Sequence, residues 1–352
     1  MTMKTKTLFL ACAMALLPTL SNATVRRVNY VQSFATSCLT CYYGSTSFQQ
    51  AIDASIDGDT IHVEPSDFSY GDVSIAKRLV VIGAGYKLGA APNNSGLQAN
   101  TQTSMVRNIA LEANSDGSRI MGLHFPGEPY SGLTMFSTSN IIISRNFIVG
   151  IDLFFVEGGS GVNNVTIAEN FINGGISQSG PYPNTITNLT IRNNYFSGNL
   201  QLNGSNDEMT NVVVTNNTFD YNGTQALTNA EVAYNVFHQG NVTGTNNTIH
   251  DNITAAALTG ADLATNPVVS MGNVYNLSVG SDDTKWDILS TSGSNEYVNG
   301  VQQPNGRGMY SGANPYRKSG IPNIPTIYTL QTTVNTIPNG SVEVTLSTRS
   351  NP

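Results

Sequence analysis

The chain has 352 residues, a net charge of −7 and a pI near 5.0, so it lacks the basic excess with which a protein displaces counterions from nucleic-acid phosphates. Hydrophobic residues make up 39% and charged residues only 11%. That is enough apolar material for a core and argues against a disordered chain. It leaves a surface covered mainly by neutral Asn, Ser, Thr and Gly, as suits a secreted β-rich protein.

Residues 1–23 read as a secretory signal. Lys4 and Lys6 precede an apolar stretch from Leu8 to Leu17, and "SNA" ending at Ala23 has the small-x-small form of a cleavage site. The apolar run is about half of the roughly 20 residues that a membrane span needs, and no later segment matches it, so no span is expected. Next come Cys38 and Cys41 in "CLTC". Without a thioredoxin-like pattern or further ligands around them, they are expected to form a local disulfide, and no metal site is expected there.

From Ser45 the sequence predicts a short helix, capped by Ser45 or Thr46, that places Phe48, Ile52 and Ile56 on one face. "DTIHV" and "RLVVIGAG" then read as strands. "SRIMGLHF" (Ser118 to Phe125) reads as a further coil, with Phe125 as the counterpart of Phe147 in the next. Beyond it a nine-letter unit recurs: "NIIISRNFI" from Asn140, "NVTIAENFI" from Asn164, "NLTIRNNYF" from Asn188, "NVVVTNNTF" from Asn211, "NAEVAYNVF" from Asn229 and "NVTGTNNTI" from Asn241. The seventh letter is always Asn, at Asn146, Asn170, Asn194, Asn217, Asn235 and Asn247. The first three intervals have the length of one solenoid coil, and the last two shorten. Letters two and four are apolar in nearly every copy, the period of two expected of a strand with one face inward. Letter nine returns to the interior after a bend. The repeated Asn tolerates a left-handed bend, and its amide is expected to pair with the Asn above and below.

Short strands separated by bends, recurring once per coil of about 22 to about 24 residues, predict an all-β solenoid, a parallel β-helix. At these residues, roughly Phe48 to Leu277, the chain resembles the right-handed parallel β-helix, or pectin-lyase-like, superfamily of secreted proteins. The resemblance implies an N-terminal capping helix over the open end and residues 24–280 as the solenoid. Residues 281–352, rich in Pro and Gly, are expected to serve as a C-terminal cap, with packing along the solenoid or contact with a partner as alternatives. "SVEVTLSTRS" in this segment reads as a strand. It also offers an edge for self-association.

Known enzymes of such a family act on acidic polysaccharides with a Lys or Arg base, often with Ca²⁺, or with grouped Asp residues. Residues 100–280 contain no Lys, which leaves Arg119, Arg145 and Arg192 as the catalytic candidates, beside Arg107. None sits in a recognisable lyase motif. Arg145 and Glu169, both sixth letters, are expected to form a solvent-facing ion pair. The loop residues Asp152, Glu157, Asp207 and Glu208 are candidates for binding, no cofactor is expected, with Ca²⁺ on these carboxylates as the alternative, and Tyr182 is a candidate for stacking on a sugar. His124, His238 and His250 are too scattered in register to suggest a site. The sequons at Asn164, Asn188, Asn222 and Asn241 read as repeat residues.

Two functions follow. The first is a non-catalytic secreted or cell-surface protein, with the periplasm as an alternative location, that binds a polysaccharide or a surface protein. The second is a lyase acting on a uronic-acid polysaccharide. The missing Lys and the absence of a basic cleft place binding first.

Overall fold

The computed structural model describes residues 23–31, 37–89, 97–127, 132–156, 159, 161–180, 185–203, 208–278, 282–289, 296–333 and 343–350. The expected signal segment up to residue 22 lies outside them. The described chain is a parallel β-helix with three faces. Face one is a twelve-stranded sheet that starts with Cys41–Tyr43 and Val25–Asn29 and ends at Thr248–His250. Face two has eight strands, from Asp72–Ile75 to Asn241–Thr243, and face three has eight, from Ser104–Met105 to Ile253–Thr254. One coil runs Gly132–Phe136, Ile142–Ser144, Phe147–Ile148 and back to Gly150–Phe154 on the face it started from.

Alternation along each strand decides what lies inside. Ile143, Ile167 and Ile191 stack in register from face one, and Leu133, Ile151, Ile176 and Leu200 from face two. All are buried, which is the main stabilising contribution of the fold. Ninth letters fill the third side. Ile148, Ile172, Phe196, Phe219 and Phe237 are buried there, and the last three stack ring on ring at 4.9 and 5.0 Å. In the coil before these, the partner of Phe147 is His124 and not Phe125, one position earlier than the sequence alignment has it.

The bend between faces one and three divides its work between two neighbouring letters. The left-handed backbone belongs to the sixth letter, with φ of 57° at Arg145, 60° at Glu169 and 54° at Asn193, and to the first-letter Asn residues. The seventh-letter Asn is not left-handed, contrary to the sequence reading. Its role is the ladder. Asn170 Nδ2 donates to Asn194 Oδ1 at 3.0 Å, and the same oxygen accepts the Asn170 backbone N–H at 2.9 Å. The pattern repeats through Asn146, Asn170, Asn194, Asn217 and Asn235. It then passes to Asn252 and Asn266, not to Asn247. The last unit begins at Asn246, because Glu231 pairs with Thr248 and Val232 with Ile249. Asn247 instead accepts the Ala230 N–H from a half-exposed position.

Helix α1 (Ser47–Ala54) packs Phe48, Ala51 and Ile52 onto the first coils. Its N-cap Thr46 makes no side-chain capping bond; Gln50 donates to the Thr46 hydroxyl instead. Ile56 falls off the apolar face, 48% exposed, because the chain is already extended at Ser55. A disulfide joins Cys38 to Cys41 at the start of an edge strand.

The far end of the solenoid is sealed by residues 255–269. Leu258 joins the core there, and Thr259 bonds to Asn241 Oδ1. The segment expected to cap the solenoid or to pack along it does pack along it. From Arg307 to Asn323 it runs as a strap back along the bend, opposite to the coil order. Gly308 N–H donates to the Tyr234 carbonyl, Asn193 donates to the Met309 and Ser311 carbonyls, and Tyr86 N–H donates to the Ser319 carbonyl. Beneath the strap the eighth letters form an outer apolar row, with Phe147 and Phe171 stacked at 4.5 Å and Phe171 against Tyr195 at 4.6 Å. Gly320, at φ 56°, crosses so close that a Cβ would lie 2.1 Å from the Tyr86 ring. Trp286, fully buried, anchors the preceding 3-10 turn Asp282–Trp286. The chain finishes in an antiparallel hairpin, Thr326–Thr333 with Glu343–Arg349, tied to the first coils by a bond from Ala99 N–H to the Ile327 carbonyl.

Candidate functional site

Face three is covered by the strap, whereas face two presents a groove. Its outward residues follow from strand alternation: where Leu133 and Met135 point in, Gly132, Thr134 and Phe136 point out. In register, Ala110, Thr134, Asp152, Ser177 and Gln201 form one row across successive coils. Coils in such a stack lie about 4.8 Å apart, so from Thr134 to Gln201 the row is a regularly spaced line of polar groups. On one side Gly132 and Gly150 leave the floor open. A Cβ on Gly132 would lie 2.4 Å from the Gly150 carbonyl oxygen, so the close approach of the two strands requires glycine there. On the other side Phe136 and Phe154, partly exposed, sit 5.1 Å apart.

The groove has a volume of about 480 Å³, and among the described residues that line it Asp152 is the one charged side chain. Ser179 donates to Asp152 Oδ2 at 2.7 Å and Ser177 to Oδ1 at 3.4 Å. These bonds orient the carboxylate and leave it with acceptor capacity. At the near end of the face Arg107 is bound to Asp72, and Asn108 bridges Asp72 to the Gly132 N–H. The Arg107 guanidinium holds the Asp72 carboxyl below its ordinary range, against a smaller opposing effect of burial. A floor of hydroxyls, amides and one carboxylate beside two phenyl rings suits a ligand with many O–H groups and apolar C–H faces.

The arginine candidates are elsewhere. Arg119 is exposed on face one, in register with Val80 and Ile142. Arg145 and Glu169 do not face solvent as predicted: each is 6% exposed, because the strap lies over them. Arg145 donates to Glu169 at 2.7 Å, to the Ile321 carbonyl at 3.1 Å and to the Asn323 side chain. Arg192 stands 3.8 Å from the same glutamate. Arg145 and Arg192 thus share Glu169 at the bend, and none of the three reaches face two.

Of the acidic candidates, Asp152 lies in the groove. Glu208 is exposed beside Thr185 on a strand joined to face one, so the two do not meet. Glu157, Asp207 and Tyr182 lie outside the described residues. No cluster of three or more His, Cys, Asp or Glu side chains suited to a metal occurs among the described residues. Sequence reasoning passed over Thr134, Phe136, Phe154, Ser177 and Ser179. A signal was present, since "GLTMF" from Gly132 and "GIDLF" from Gly150 share one pattern.

Among the described residues no helix is long and apolar enough to cross a membrane. Comparison of the chain with protein-family models, with curated proteins and with solved structures returns no match, so function has to be read from the side chains on these faces.

Proposed function

We propose that the chain is a non-catalytic glycan-binding β-helix of the right-handed, pectin-lyase-like kind, exported to the cell surface or beyond, and that face two holds a neutral polysaccharide along the solenoid axis. The observation that carries this reading is the groove over Thr134, Asp152 and Ser177, with Phe136 and Phe154 at its side and no cation among the described residues of its lining. Repeating hydroxyls along a polymer match a row of acceptors and donors repeated once per coil. The apolar faces of sugar rings match the phenyl pair. Adhesion to a polysaccharide-coated surface is the corresponding role.

The lyase reading loses support from the same geometry. An acidic polymer needs concentrated positive charge, and Arg145, one of the three arginine candidates, is buried against Glu169. The test is affinity electrophoresis of the protein through gels containing neutral or uronic-acid polysaccharides, with and without Ca²⁺, alongside absorbance of unsaturated sugar ends. Retardation in a neutral polymer without new absorbance supports the proposal. Absorbance rising on any uronic-acid substrate would replace it with the lyase.

A further inference from the structure

A second group of polar side chains sits near the far end of the solenoid, where the turn Asp282–Trp286 meets face three. Asp220, whose side chain is 10% exposed, accepts hydrogen bonds from the Tyr195 hydroxyl at 2.8 Å, Lys285 Nζ at 2.6 Å and His238 Nδ1 at 2.9 Å. Burial pushes its carboxyl upward, but the bonds from His238, Lys285 and Tyr195 outweigh this and hold it below the ordinary range. An ionised carboxylate at Nδ1 requires that nitrogen to carry the proton. In the neutral ring Nε2 is then the lone-pair acceptor.

Tyr195 and Lys285 already tie Asp220 to the solenoid and to the turn, so fastening the turn does not require the histidine. Its ring is fixed, with the Trp286 ring at 5.1 Å in an edge contact. Among the described residues no group bonds to Nε2. His238 lines a cleft of about 510 Å³ together with Gln239, Ser270, Met271, Leu277 and Glu296. Glu296 uses Oε2 to accept a bond from Asn273 at 3.1 Å, and its other oxygen has no partner among the described residues. The cleft therefore combines two proton acceptors with an apolar wall. An anion would meet the Glu296 carboxylate, and a purely apolar ligand would leave both acceptors unpaired.

We propose that this cleft is a second saccharide-binding site, in which His238 Nε2 and Glu296 accept hydrogen bonds from the hydroxyls of a neutral sugar unit while Met271 and Leu277 contact its C–H face. It stands independently of the reading of face two.

The experiment uses the full chain labelled with ¹⁵N at its four histidines, with the His238 signals assigned by comparison with His238→Gln. Where the ring is neutral, its ¹H–¹⁵N spectra are expected to show the Nδ1–H tautomer. The probes are the methyl glycosides of glucose, galactose and mannose, raised to about 10 mM, with ethylammonium and acetate as charged controls. At least one glycoside is expected to shift His238 Nε2 saturably. Glu296→Gln is expected to weaken that binding about tenfold, as loss of a charge-assisted bond does, and Asp152→Asn to leave it unchanged. An Nε2–H tautomer, a flat response to all three glycosides, or a response to a charged probe alone overturns the proposal. Loss of polymer retardation in Asp152→Asn with the His238 shift intact separates the two sites.

Discussion

Arg145 and Glu169, in neighbouring coils, are bonded at 2.7 Å with each residue only 6% exposed, and the roof over them is the Ile321 carbonyl and the Asn323 side chain. The pair therefore joins two coils and the strap at one point. Removing Glu169 takes the carboxylate from the buried Arg145 guanidinium, at a cost of about 3–5 kcal/mol. Glu169→Ala is expected to lose that much stability in denaturant unfolding. Replacing both partners, as Arg145→Met with Glu169→Leu, is expected to recover most of it. A single-variant loss under about 1 kcal/mol would be the behaviour of a screened surface pair.

The asparagine ladder makes a separate prediction. Asn194→Leu deprives the Asn170 N–H and carboxamide of their shared acceptor in a fully buried position. An unsatisfied buried donor costs about 1–3 kcal/mol, so a loss of at least about 2 kcal/mol is expected. Asn247→Ala, off the ladder and half-exposed, is expected to cost under about 1 kcal/mol. Equal losses in the two variants would place Asn247 in the ladder after all.

These two cases show what was legible in the sequence. The coil was, because period-two burial and the regular return of Asn at letter seven are local and repeated. Ladder membership was legible as far as Asn235. Beyond it the rungs Asn252 and Asn266 come at shorter intervals, and the doubled Asn246–Asn247 allowed a frame that ends too early. The burial of Arg145 was not legible, since it depends on a contact with Asn323, far along the chain, made by a segment with no repeat. The groove was half legible: Asp152 stood out as an acid, while its neighbours Ser177 and Phe154 are ordinary strand residues until the register is known.

Acid should loosen the turn Asp282–Trp286 on face three. The carboxyl of Asp220 is held below its ordinary value in the folded protein, although burial by itself opposes this. A depressed carboxyl contributes stability that is fully present above the unfolded value, near pH 3.9, and is lost as the pH falls through the folded value. Hydrogen exchange of the amides around Trp286 is expected to be flat from pH 7 to about 5 after correction for intrinsic rates, and to show weaker protection below about pH 4. In Asp220→Asn protection is expected to start lower and to depend less on acid. An unchanged acid response in that variant would assign it to other carboxylates.

Gly320 tests whether the strap closes face three. With φ 56° and no room for a Cβ against the Tyr86 ring and the Arg145 carbonyl, Gly320→Ala has to lift the strap locally. Expected outcomes are faster exchange of the Tyr86 N–H, which donates to the Ser319 carbonyl at 2.7 Å, and a loss of about 1–3 kcal/mol. Polymer retardation through face two is expected to persist, because the strap runs along the bend and not over the groove. Retardation lost together with Tyr86 protection would move the glycan site from face two to the outer row of Phe147, Phe171 and Tyr195.

The groove itself is tested by two substitutions that separate its polar and apolar contributions. Asp152→Asn keeps the shape and the bonds from Ser177 and Ser179 within reach but removes the charge that strengthens any hydroxyl contact. Binding is expected to weaken about tenfold, with stability changed by under about 1 kcal/mol, since the side chain is only half-buried. Phe154→Ala removes one of the two rings and is expected to weaken binding by a similar factor through lost contact area. Both effects should be nearly independent of salt, because a neutral ligand releases no counterions. Steep weakening with salt in the unmodified protein would instead indicate an acidic ligand, and the site would then have to lie near Arg119 and Arg192 on face one.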